Sequence, residues 1–330
     1  MFRAAATWAL LLLGIDGGPC AAQGIGARAV VQATPTYSAQ TLAFLNAAMA
    51  AGSAAPSTTD VRVIDALVRC EHNLATGDPW DNTTGLWLTA EFSQQASYLN
   101  AVNPWGAAAQ GTNCTGGGSP DGGPTWTKYK GVNSNGHVCV ADGSGNNMSY
   151  LDTGVQTSGL FTQNAAHMAA IFATGTVASG TVAVGIDTSN IFPMKLNTID
   201  YGGRPNSTST TGGGSNAVWS KNQSPTPAAG PGYYAWTRTS SAGGDATDPA
   251  GTLMSSTALG GWTGTSAAIH STYNFWILGE NVNNTCCGGF SPIPASQIVS
   301  MAKFGGAMTT QQEATEYTCF KAWMVARGLP

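Results

Sequence analysis

Apolar and polar residues follow two different rhythms along this chain. From Tyr37 to Ala50, "YSAQTLAFLNAAMA" places Leu42, Leu45 and Met49 at helical spacing behind Ser38, whose hydroxyl suits a helix N-cap. The turn "GSAAPSTTD" interrupts the pattern. "TDVRVIDALVRCEHNLATG" then sets Val61, Ile64, Leu67 and Val68 on one face, with Gly77 as a stop signal. These spacings predict two helices ahead of the main body.

Past Gly77 the rhythm shortens to apolar or alternating runs separated by Gly, Asn, Ser and Pro. The runs are "GLWLTAEF", "GHVCVAD", "MSYLDTG", "HMAAIFATG", "GTVAVGID", "NAVWSK", "GYYAWTRT", "GTLMSSTAL", "YNFWILGE" and "QIVSMAKFGG". About ten short strands with frequent turn signals predict an antiparallel sandwich or barrel. The chain closes with "TTQQEATEYTCFKAWMVARG", where Tyr317, Phe320, Met324 and Gly328 mark a capped helix. The organisation expected is a leader over 1–22, a helical segment over 23–76 and a β domain with its final helix over 77–330.

Composition narrows the reading. Of 330 residues only 9% are charged, 43 are glycine, and the net charge is −4. No run of Lys and Arg forms the basic stripe that phosphate binding needs, so nucleic acid is not an expected partner. At the N-terminus, Arg3 precedes the apolar run Ala4 to Leu13, too short to span a bilayer, and "CAAQ" follows. This is the pattern of a secretory signal peptide cleaved after Ala22. No other stretch reads as a membrane span, so a secreted or periplasmic product is expected.

Export changes what the cysteines mean. Loss of Cys20 leaves six: Cys70, Cys114, Cys139, Cys286, Cys287 and Cys319. An even number in an oxidising compartment reads as three disulfides, with pairing open. Zinc sites usually show closely spaced Cys pairs or interleaved histidines. His137, His167 and His270 are scattered, so zinc is not expected. The adjacent Cys286 and Cys287 read as a loop staple, joined to each other or to two different partners.

Several stretches, taken in order, resemble a known family. "FSQQASYLNAVNP", "PTWTKYKGVNSNG" and "MSYLDTGV" resemble its opening elements, and "YYAWTRT" with "GTLMSSTAL" its central strand pair. "NFWILGENVNN" and "SQIVSMAKFGGAMTTQQEATEYTCFKAWMVARG" resemble its C-terminal signature. The family is that of LamG-like, concanavalin A-like lectin/glucanase-fold proteins common in bacteriophage, prophage and bacterial genomes. The likeness runs from about Tyr37 to Gly328. It implies an all-β, two-sheet antiparallel jelly-roll β-sandwich with flanking helices. It also implies a surface or tail-associated glycan-binding role, and supplies no catalytic set. The leader and the cysteines depart from a virion protein and favour a bacterial exported one.

The residues themselves weigh three functions. A glycosidase needs two carboxyls astride the scissile bond. Glu71, Glu313 and Glu316 sit on predicted helices and read as solvated surface, leaving Glu91 and Glu280 as the alternative catalytic pair. A polysaccharide lyase would draw on Arg204, Arg238 and His270, which form no recognisable motif. Glycan binding asks only for aromatic rings that stack on sugar C–H faces beside polar groups. Trp105, Trp126, Trp219, Trp236 and Trp262 lie in turn-rich context, and Tyr234 shares a strand face with Trp236. Any one of these rings reads first as core, and Trp262, among glycines, as the most exposed. Related sandwiches bind calcium through loop oxygens, for which Asp142, Asp152 and Asp187 are the candidates, although isolated loop aspartates more commonly form turns. The expected protein is thus a non-catalytic lectin or adhesin with a glycan or cell-surface polysaccharide as partner. The alternatives are a polysaccharide-degrading enzyme and a structural surface or virion component.

Overall fold

The computed structural model describes residues 36–73, 75, 77–106, 110–113, 124–133, 149–156, 165–174, 184–187, 194–196, 231–240, 244–247, 250–255, 274–278, 280–282, 285–286 and 297–330. Helix α1 (Ala39–Ala50) begins where Ser38 Oγ accepts a hydrogen bond from Thr41 N–H at 3.1 Å. It buries Thr41, Phe44, Leu45, Ala47 and Ala48, whereas Leu42 and Met49 are 45% and 44% exposed. The expected stripe is therefore rotated: the Phe44 ring has more area to bury than Leu42, and the two alanines allow close approach.

Helix α2 (Thr58–Glu71) starts with a capping box between Ser57 and Asp60 and buries Ile64, Leu67 and Val68 as expected. A short α3 (Gln94–Ser97) follows the first strand. Helix α4 (Thr310–Arg327) has a second capping box, Thr309 with Gln312, and stops at Gly328 in the left-handed conformation. A disulfide from Cys70 to Cys319 ties α2 to α4 across 249 residues of sequence.

The strands form two sheets. In the first, the order is β11 (Leu253–Ser255), β10 (Gly244–Thr247), β9 (Gly232–Arg238), β6 (Ala166–Thr174), β15 (Ile298–Gly305), β4 (Gly131–Asn133) and β3 (Thr125–Thr127). Strand β1 (Thr83–Trp87) also pairs with β15, and every pairing in this sheet is antiparallel. Gly131 has φ 127°, and a Cβ there would stand 2.1 Å from Val299 O, so only glycine lets β4 approach β15.

The second sheet runs β14 (Thr285–Cys286), β13 (Glu280–Val282), β7 (Val184–Asp187), β12 (Asn274–Ile277), β5 (Ser149–Gln156) and β2 (Gln110–Asn113), with β8 (Met194–Leu196) also on β7. Its pairings are antiparallel except β13 with β7. Eight of the ten expected runs contain strands; "GHVCVAD" and "NAVWSK" lie outside the described residues.

Period-two alternation gives the first sheet two buried faces. Met168, Ala170, Phe172, Tyr234, Trp236, Ala302 and Phe304 share one core with Leu151, Phe275 and Ile277 of the second sheet. Phe275 stacks on Phe304 with ring centroids 4.2 Å apart. The alternate residues Ala169, Ile171, Tyr233, Ala235 and Met301 pack with α1, α2 and α4 in a second core. Burying each large side chain contributes about 1.5–3 kcal/mol. Helices α1 and α2 belong to the same compact unit as the sheets, Tyr37–Pro330. The mostly antiparallel β architecture with flanking helices is the one expected.

Candidate functional site

The helix-facing side of the first sheet carries charge as well as apolar groups. Lys303 Nζ lies 2.5 Å from Glu71 Oε2 and 2.9 Å from Glu316 Oε2. Glu316 Oε1 lies 3.0 Å from His167 Nε2 and accepts from the Tyr233 hydroxyl at 2.6 Å. All five residues are 0% exposed. Burial pushes the Glu71 carboxyl up to about 7 against the pull of Lys303. Burial acts on Glu316 in the same sense, yet His167 and Lys303 outweigh it and hold the carboxyl well below the usual range.

A second buried set joins four segments of the chain. Arg327 donates to Asp60 Oδ1 and to Glu91 Oε2, each at 2.6 Å, and the Tyr129 hydroxyl donates to Asp60 at 3.0 Å. Burial raises Glu91 to about 7 despite Arg327. Such a pKa suits a general acid, but Glu91 is 0% exposed in the turn after β1, its Oε2 held by Arg327.

Three expectations about acids are thereby corrected. Glu71, Glu313 and Glu316 are 0% exposed rather than solvated, because α2 and α4 turn them onto the sheet, where Lys303, His167 and Thr247 meet them. Glu280 opens β13 in the other sheet, and its side chain lies outside the described residues. Tyr234 and Trp236 do share a strand face, but that face points into the core, where they are 0% and 2% exposed. Trp126 is half-buried, its indole N–H donating to Ser97 Oγ at 2.8 Å. Trp219 and Trp262 lie outside the described residues, as do Cys114, Cys139, Cys287, His137, His270, Arg204 and Asp142. Cys286 is in β14 opposite Asn281. Asp187 ends β7, and Asp152 Oδ1 accepts from Gly154 N–H at 2.9 Å, closing its own turn.

Trp105 is different. It is 63% exposed, the one aromatic among the described residues that is largely so. The segment that carries it is pinned from both sides. Asn100 Oδ1 accepts from Leu86 N–H at 3.0 Å and from Val102 N–H at 3.1 Å, and its Nδ2 donates to Thr84 O at 3.2 Å. Ala101 N–H donates to Leu86 O at 2.7 Å, fixing the backbone beside β1. Gln40 Nε2 reaches across from α1 to Ala101 O at 2.5 Å and Val102 O at 3.1 Å. A turn closed by Gly106 N–H on Asn103 O at 3.0 Å then holds exposed Asn103 and Trp105 around buried Pro104. A flat ring and a side-chain amide on rigid backbone are what a sugar face and its hydroxyls require.

Two other features bear on ligands. A groove of about 380 Å³ between α2 and α4 is lined by Val63, Ala66, Leu67, Ala322, Trp323, Ala326 and the disulfide, with Thr59 and Arg62. Its mostly apolar walls offer sugar hydroxyls few partners. Just beyond α2, the donor atoms of His72, Asp78 and Asp81 lie within 4.8 Å of one another, as in no other His, Cys, Asp or Glu group among the described residues. The spacing H-x5-D-x2-D carries no familiar signature, and neither it nor the buried ion cluster stands out in the sequence.

No family model and no curated protein matches the chain. Among solved structures, it is similar to domain 4 of AbnA, an extracellular arabinanase from Geobacillus stearothermophilus, in complex with arabinotriose. The identity is 11% and the TM-score 0.35, over 71% of this chain and 99% of that one. A second likeness is to a Trypanosoma rangeli sialidase bound to a difluoro sugar acid. There the identity is 8% and the TM-score 0.28, over 79% of this chain and 39% of that one. Likeness at this level says nothing of what the chain does. No helix among the described residues is long and apolar enough to cross a membrane.

Proposed function

We propose that the protein is an exported, non-catalytic carbohydrate-binding module, a LamG-like jelly-roll sandwich whose partner is a glycan or cell-surface polysaccharide. The observation that carries this reading is Trp105, 63% exposed on a segment that six hydrogen bonds from Leu86, Thr84, Gln40 and Asn100 hold in place. Preorganisation matters because backbone that is already held in place loses little entropy when the ring it carries stacks on a ligand. The Cys70–Cys319 bridge fits an oxidising compartment, as the leader-like N-terminus does. Hydrolysis fits less well. Glu71, Glu91, Glu313 and Glu316 are all 0% exposed and engaged with Lys303, Arg327, Thr247 or His167, so none of them reaches a substrate.

A glycan array with the purified protein, run beside a reducing-sugar release assay, tests the proposal. Wild type should bind a defined glycan set without releasing sugar. Trp105→Ala should weaken that binding by about 1.5–3 kcal/mol, the scale of burying one large side chain. Sugar release abolished by Glu280→Gln would make the protein an enzyme instead. Binding untouched by Trp105→Ala but lost in Trp262→Ala would move the binding role to Trp262.

A further inference from the structure

We propose that His72, Asp78 and Asp81 form a binding site for one small divalent transition cation of the zinc type. The site is separate from the Trp105 segment, and nothing in the glycan reading requires it.

The argument begins with an oxygen that lacks a partner. Asp78 is 7% exposed, and its Oδ1 is buried with no hydrogen bond. A buried carboxylate oxygen ordinarily accepts at least one bond, because its desolvation goes uncompensated otherwise. A cation supplies that compensation. The His72 imidazole faces the same carboxylate through its other oxygen, Oδ2, and leaves Oδ1 without a bond.

The second observation is a distance. His72 Nδ1 and Asp78 Oδ2 are 3.3 Å apart, long for a charge-assisted hydrogen bond. Zinc binds imidazole nitrogen and carboxylate oxygen at about 2.0–2.2 Å, so two such ligands at a tetrahedral angle stand roughly 3.3–3.5 Å from each other. The pair already has the separation that a shared ion demands. Asp81 brings the third donor, within 4.8 Å of the other two. Asp81 is exposed, so its carboxylate has room to close the remaining gap.

The surroundings fix the two inner ligands. The His72 ring packs on Trp80, centroid to centroid 5.0 Å, and Trp80 is itself 6% exposed. Gln312 Nε2, from the first turn of α4, donates to Gly77 O, and Asp78 N–H donates to Asn73 O at 3.1 Å. Asp78 itself adopts the left-handed conformation, φ 49°, and its Oδ2 lies 3.3 Å from His72 Nδ1 at the end of α2. Held ligands of this kind raise metal affinity by removing the cost of arranging them. One imidazole with two carboxylates favours zinc or its first-row neighbours over calcium, which takes six to eight oxygens. Three protein ligands leave a fourth position for water or for a donor from a bound molecule.

The test uses tag-free, EDTA-treated protein titrated with Zn²⁺, with Co²⁺ and with Ca²⁺ by calorimetry. We expect one Zn²⁺ per chain with micromolar or tighter affinity, a visible Co²⁺ absorption band, and a thermal midpoint that rises with zinc and saturates. Asp81→Asn and His72→Gln each replace an exposed side chain and should leave the circular dichroism spectrum intact while weakening zinc at least tenfold. Absence of saturable zinc binding overturns the proposal. So does zinc binding that neither substitution alters, since the ion would then sit elsewhere, and so does binding of Ca²⁺ in preference to Zn²⁺.

Discussion

On the face of β6, β9 and β15 that meets the second sheet, the buried groups are rings and aliphatic chains: Phe172, Tyr234, Trp236 and Phe304 against Leu151, Phe275 and Ile277. On the opposite face of the same strands, beneath α2 and α4, His167, Tyr233 and Lys303 are buried equally deeply and meet Glu71 and Glu316. Both faces exclude water, but they resist perturbation differently. An apolar core loses energy in proportion to the atoms removed. An ion cluster loses most when one partner goes and the others remain charged.

The largest expected effect separates the two mechanisms. Lys303→Met leaves Glu71 and Glu316 buried without their cation and should cost about 3–5 kcal/mol in chemical denaturation. Adding Glu71→Met to it should recover part of that loss, because a buried charge is removed with its partner. Phe304→Ala on the other face should cost a similar 3–5 kcal/mol. There, adding Phe275→Ala should only deepen the loss. If the second substitution fails to recover stability on the ionic face, the cluster does not behave as a coupled charge set.

Next in size is the bridge that clamps the helices over that face. Replacing Cys70 and Cys319 together by Ser removes a cross-link spanning 249 residues and should cost about 2–5 kcal/mol. Reduction of the wild type should give the same loss. A stability indifferent to reductant would mean that α2 and α4 are held by their packing alone.

What the sequence revealed follows the same division. The apolar alternation of "HMAAIFATG" and "GYYAWTRT" announced strands, since residues two apart share a face whatever that face meets. It did not announce that both faces are covered, so Tyr234 and Trp236, although they read first as core, also stood as a candidate binding face. Helix caps were legible at Ser38 and Gly328 because their chemistry is local. The short strands β2, β3, β4, β8, β10, β13 and β14 were not singled out: polar or glycine-containing triplets and quartets become strands only through neighbours distant in sequence. Glu71, Glu313 and Glu316 were misread for a related reason. A charge on a helix signals solvent unless the opposing sheet supplies a cation or a hydroxyl, and Lys303, His167 and Thr247 come from other parts of the chain. The His72, Asp78 and Asp81 group has no motif, yet the turn at Gly77 folds it together.

A smaller effect should appear in pH dependence. Glu313 accepts from the Thr247 hydroxyl at 2.8 Å, and burial, with Glu316 and Asp245 adding to it, pushes its carboxyl from 4.5 to about 8. Between those values the unfolded chain ionises this group while the folded chain keeps it protonated. Stability conferred by Glu313 is therefore fully present below about 4.5 and is lost as pH rises toward 8. Glu71 and Glu91, raised to about 7, act in the same sense. One such group contributes a slope of at most about 1.4 kcal/mol per pH unit. Thermal midpoints should rise on acidification from pH 8 to 5, and Glu313→Gln should flatten that profile. A wild-type profile that stays flat across this window would mean that these carboxylates are solvated in solution.

The smallest effect on stability belongs to the residue proposed to matter most for binding. Trp105 is 63% exposed, whereas Trp87, which packs on Phe304 at 5.4 Å, is 0% exposed. The bonds that fix the Trp105 segment come from Asn100, Ala101 and Gln40, and none of them involves the indole. Trp105→Ala should therefore change unfolding free energy by no more than about 0.5 kcal/mol, while Trp87→Ala should cost about 3–5 kcal/mol. Both are read from denaturant midpoints at constant m-value. A ring kept at the surface without a role in packing is then left to act on whatever touches the surface. If Trp105→Ala instead lowers stability by more than about 1 kcal/mol, the indole is a packing element. The glycan-stacking role must in that case pass to other tryptophans, Trp262 first.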